Sequence, residues 1–158
     1  MSANKEKAPT SSAKRLARLA AVQALYQMTL IPRPAAQVVA EFRSHPQALL
    51  NETGEDGASP DVDHALFGAI VTGVTDHAGD LDGMIAGALS SGNTVDRLEI
   101  LLRSILRAGV YELHHQSAIP TGVIINDYVD VTHAFFGAKE PGLVNGILDK
   151  LAKGLRAA

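Results

Sequence analysis

The residues of this chain best suited to chemistry are six histidines, seventeen carboxylates and a knot of cations near the N-terminus, while cysteine is absent. Without Cys there is no disulfide frame, thiolate metal site or cysteine nucleophile. The histidines invite a metal, yet His114 and His115 are adjacent, so they diverge on a helix, and no His-Glu-x-x-His sequence occurs. Glu112 and His115, three apart, form half of a di-iron carboxylate pattern whose second half is missing. His77, Asp80 and Asp82 stand at what reads as a helix start, where acids are expected anyway. Glu55 and Asp56 are paired carboxylates in a loop too flexible to hold catalytic geometry. No Gly-x-Ser-x-Gly elbow, phosphate-cradling glycine loop or dinucleotide fingerprint is present. The expectation is a binding protein with no metal and no cofactor, not an enzyme.

The cations fit a different chemistry. Residues 1–18 hold Lys5, Lys7, Lys14, Arg15 and Arg18 against Glu6 alone, whereas the rest of the chain holds nine basic and sixteen acidic residues, for a net charge of −3. A basic head on an acidic body suits local contact with an anion and leaves another surface for a cationic partner. Aromatic residues make up 4% of the chain and Trp is absent, which argues against a broad base-stacking platform. Tyr26, Tyr111 and Tyr128 remain as isolated stackers, the last two expected in the core.

Such residues need elements to position them, and the hydrophobic period supplies only helices. Leu16 to Met28 marks a long first helix, stopped by Ile31-Pro32-Arg33-Pro34. Ala35 to Phe42 is a short second one, followed by a polar, glycine-containing loop. Ser59-Pro60 opens a third, Leu81 to Leu89 forms a fourth, and from Thr94 a five-turn apolar stripe through Leu113 marks a central fifth. Pro120 starts a sixth. The seventh contains Asn145-Gly146, a strong hairpin signal. Its flanks, Leu143-Val144 and Ile147-Leu148, are wholly apolar and lack strand alternation, so the period makes it a helix, with Gly146 placed for close approach of a backbone or ligand. The fold class is all-α, about seven helices: a flexible basic tail over 1–13, then a single domain over 14–158. With no secretory signal or membrane span, a cytoplasmic location is expected.

Four ordered segments, AVQALYQ at 21–27, ILRAGVYEL at 105–113, IPTGVIINDYVDVTHAFFG at 119–137 and LVNGILDKLA at 143–152, resemble the NusB family of transcription antitermination factors. The resemblance runs from about Lys14 to Lys153. It implies an all-helical fold that binds the boxA element of nascent RNA together with NusE, a small-subunit ribosomal protein. That assembly works near RNA polymerase with other Nus factors, notably on ribosomal RNA operons. The family's basic motif falls on Lys14, Arg15 and Arg18, expected as exposed phosphate ligands; Tyr26 lies on the same helix. Asn145, with Lys139 before it and Lys150 after it, is expected on the other side of the RNA groove. Glu99, Arg103 and Glu112 are expected on the NusE-facing surface, because ribosomal proteins are basic. The N-terminal motif is sparser than the family's arginine run, and Leu102 stands where many relatives carry an acid. The competing reading is a homodimeric helical interaction module that does not recognise RNA.

Overall fold

The computed structural model describes residues 8–50, 60–90 and 93–156. Lys5, Lys7, Glu55 and Asp56 lie outside them. The described residues form six α-helices and no strand: α1 (Ser11–Leu30), α2 (Ala35–Ser44), α3 (His64–Ala88), α4 (Ile100–His115), α5 (Thr121–Phe135) and α6 (Lys139–Leu155). Short 3₁₀ turns at Pro46–Ala48 and Val95–Arg97 precede α3 and α4.

Helix α4 is the central strut, packed against α1, α3, α5 and α6. Its apolar positions Leu102, Ile105, Leu106, Gly109, Val110 and Leu113 are all buried. Its start is capped by Glu99, whose Oε2 accepts a bond from the Leu102 N–H at 3.2 Å. Each fully buried Ile or Leu contributes about 1.5–3 kcal/mol, and Ile105, Leu106, Ile124 and Leu148 meet in one continuous core. Helix α1 lies against α3 and α4 through a face of small residues, Ala17, Ala20, Ala21 and Ala24, which lets the backbones come close. It begins at Ser11, capped by Thr10, so the helix starts inside the stretch expected as tail.

The third and fourth expected helices are one element. Helix α3 opens at His64, capped by Asp63, and runs to Ala88 with a kink at His77 (φ −116°, ψ 17°). The His77 ring stacks on His115 of α4 at 4.6 Å, and His115 stacks in turn on Tyr111 at 5.0 Å. One turn before the kink, Gly73 lies under the Tyr111 ring: a Cβ there would stand 2.0 Å from the ring edge. Helix α6 settles the Asn145-Gly146 ambiguity in favour of period 3.6, with Pro141, Val144, Ile147 and Leu148 turned inward. At Gly146 the expected close approach is not by another backbone, because no other part of the described chain comes within 4 Å of where its Cβ would be.

Candidate nucleic-acid interface

The basic head of α1 forms one wall of a groove of about 410 Å³. Ser11, Lys14 and Arg15 face Ala118, Ile119 and Pro120 of the α4–α5 loop and Val123, Asn126 and Asp127 of α5. The first turn of α5 has no side-chain cap, so its free N–H groups add partial positive charge at the mouth. Lys14 is half-buried and has no ion-pair partner among the described residues. The Arg15 side chain, 58% exposed, stands 3.6 Å from Asp127 and 3.3 Å from Asp130, so its charge is partly answered from within the chain.

Arg18 does not belong with them on the surface. It is fully buried beneath the groove floor. Its Nε and Nη2 donate to the two carboxylate oxygens of Glu112, each at 2.8 Å, and its Nη1 donates to Asp127 Oδ2 at 2.6 Å. The Tyr128 hydroxyl donates to Glu112 Oε2 at 2.5 Å. Burial alone pulls the guanidinium pKa down, but the bonds to Glu112 and its charge outweigh that and leave it raised. Burial, then the charge of Glu112, pushes the Tyr128 hydroxyl well above its ordinary value. The expectation that Arg18 is an exposed phosphate ligand is therefore corrected: it is the structural cation joining α1 to α4 and α5. Glu112 is corrected with it, since a carboxylate with no exposure offers nothing to a partner.

The remaining expected residues fall elsewhere. Tyr26 is half-buried, some 18 Å along α1 from Lys14, and does not line this groove. Lys139 lines a second groove of about 480 Å³ with Gly142, Leu143 and Gly146 of α6, facing Leu89, Asn93 and Leu98. Asn145 and Lys150 are exposed on the same helix, and the Asn145 side chain makes no hydrogen bond among the described residues. The two grooves share no lining residue: the first takes Val123, Asn126 and Asp127 from α5, and the second is built on α6. On the expected partner surface, Glu99 is exposed at the start of α4, and Arg103 is half-buried with Nη1 3.9 Å from Asp96 and an unpartnered Nε. Asp82, one of the acids that suggested a cation site, is held by Arg107 in two bonds of 2.6 Å. Sequence reasoning missed Asp127 and Arg156. For Asp127 the signal was present: it precedes core Tyr128 and sits three residues past Ile124 on a buried stripe.

The NusB family model matches residues 15–153. The transcription antitermination protein NusB of Sphingopyxis alaskensis is 43% identical over 140 residues, covering 89% of this chain and 92% of that one. Its counterpart from Nitrobacter hamburgensis is 45% identical over 141 residues, covering 89% and 86%. Among solved structures, T. maritima NusB has a TM-score of 0.63 at 26% identity, covering 88% of this chain and 89% of that one. A chain in a crystal structure of antitermination factors NusB and NusE in complex with dsRNA has a TM-score of 0.70 at 24% identity, covering 89% and 96%, a likeness of fold.

Proposed function

This chain belongs to the NusB family of non-enzymatic transcription antitermination proteins, and on that premise we propose that it binds boxA-type single-stranded RNA together with NusE and supports transcription of ribosomal RNA operons. It does so in the cytoplasm, as part of an RNA polymerase elongation complex with other Nus factors. The observation that carries the reading is the groove at the head of α1, where Lys14 and Arg15 face the uncapped start of α5. Cations and helix N–H groups facing one cleft suit a phosphate backbone. Lys139 at the second groove, with exposed Asn145 and Lys150 farther along α6, supplies further polar groups for the same strand, with base contacts to the splayed nucleotides of an unpaired RNA. Glu99 and Arg103 remain as the NusE-facing pair.

The test is fluorescence anisotropy of a labelled boxA-type RNA titrated with the protein, with and without NusE, beside a scrambled RNA. The expected result is sequence-selective binding that tightens when NusE is present. About four phosphate contacts give a slope of log K against log salt near −3, and Lys14→Ala or Arg15→Ala each shallow it by roughly 0.7. A flat salt dependence, or equal affinity for the scrambled strand in both conditions, removes the proposal. A homodimer is a second reading, favoured by the exposed apolar pair Leu30 (53%) and Ile31 (69%) at the end of α1. Light scattering that reports a dimer, lost on Ile31→Asp, supports it.

A further inference from the structure

Arg156, at the C-terminal end of α6, uses its whole guanidinium on a single stretch of chain, residues 112–121. Its Nε donates to Leu113 O at 2.8 Å, and its Nη2 to Glu112 O at 3.2 Å and Gln116 O at 2.8 Å. Its Nη1 donates to Ile119 O at 2.5 Å and Thr121 Oγ1 at 3.3 Å. A guanidinium has five N–H donors, and all five are engaged here. The acceptors are two carbonyls at the end of α4, of which Glu112 O also takes the Gln116 N–H while Leu113 O takes no backbone N–H among the described residues, two carbonyls in the connecting loop, and the first side chain of α5. The positive charge also sits at the negative end of the α4 dipole.

What this grip holds is the wall of the basic groove. Ala118, Ile119 and Pro120 belong to the loop that Arg156 ties down, and they stand opposite Lys14 and Arg15. The loop has no apolar anchor in the core beyond half-buried Ile119, and Ser117 and Ala118 are exposed. We infer that Arg156 is a positioning residue for RNA binding: without touching the strand, it fixes the α4–α5 loop and the start of α5 at the width that lets RNA lie against Lys14 and Arg15. This rests on the RNA-binding reading above. A cation with no donor to spare has none for a phosphate, so its effect must pass through the loop. A lysine keeps the charge but carries three donors on a flexible stem and cannot match the fork.

The experiment compares the wild-type chain with Arg156→Lys and Arg156→Ala, using the same labelled RNA at low temperature, with far-UV circular dichroism to verify the helices. Amide hydrogen exchange is followed over residues 116–122 and, as a control, over α1. Both variants are expected to lose RNA affinity by roughly 5- to 20-fold through lost preorganisation, with the salt slope unchanged. Exchange should quicken in the loop and stay slow in α1. Full affinity in Arg156→Lys would mean that charge alone matters and overturns the inference. So would a loosened loop with unchanged RNA affinity, or a salt slope that falls by the value of one contact. If the wild-type chain binds no RNA, the functional reading fails first, and the exchange data still report whether the clamp exists.

Discussion

Arg15 and Arg18 show how the same residue type takes two roles three residues apart. Lys14 and Arg15 open onto a groove, whereas Arg18 is sealed between Glu112 and Asp127. Its removal strands two carboxylates in the interior, so Arg18→Ala should cost roughly 3–5 kcal/mol, read as a lower urea midpoint. The charge class of these residues was legible in the sequence, but their exposure was not: a cation in a basic run reads as solvated. The contrary signal was positional. Arg18 lies three and seven residues before buried Ala21 and Leu25, and Glu112 lies three and seven beyond Gly109 and Ile105, both on inward stripes. Arg15 invites the opposite substitution. Asp130→Asn removes its nearer acid, and RNA affinity at low salt should rise by about two- to fivefold, the value of an exposed ion pair. An unchanged anisotropy titration would mean that Arg15 does not meet the strand.

Among the elements, two glycines separate packing from surface. Gly73→Ala drives a methyl into the Tyr111 ring, itself stacked on His115, and should destabilise by about 1–3 kcal/mol in urea unfolding. Gly146→Ala meets open space and should stabilise α6 by about 1 kcal/mol. If the same variant weakens RNA binding, the bare backbone serves the strand. Helix periodicity located all six elements, including α6 against its turn dipeptide, because apolar stripes are a local property. The joining of two expected helices into α3 escaped notice because His77 bends the chain without breaking it, and its stacking on His115 is a long-range event. That junction also responds to pH. Burial lowers His115 from its ordinary 6.5, with help from His114 and His77, and burial likewise lowers His64. The unfolded chain then takes up more protons than the folded one as pH falls below 6.5, so stability present above that value is lost on acidification. Thermal midpoints at pH 7 and 5.5 should show the drop, and His115→Gln should reduce it.

At the scale of the whole molecule, the sequence grouped Lys14 and Arg15 with Lys139, Asn145 and Lys150 as two sides of one groove. Lys14 and Arg15 line one groove and Lys139 another, which makes a prediction of length. An RNA reaching only one groove should bind weakly, and affinity should step up and then plateau once the strand is long enough to reach both. A series of truncated RNAs with no such step would confine binding to one groove. The ion network beneath the first groove has another consequence, in time rather than space. Arg18 is 94 residues from Glu112 and 109 from Asp127, so the first helix made is completed by partners made near the end. At about 5–20 residues per second of synthesis, α1 waits of the order of 5–20 s with its inward cation unanswered. The nascent chain therefore has no early stable half. Its N-terminal helix is locked only once α5 has cleared the ribosome, and chains arrested before Asp127 should stay open to protease along α1.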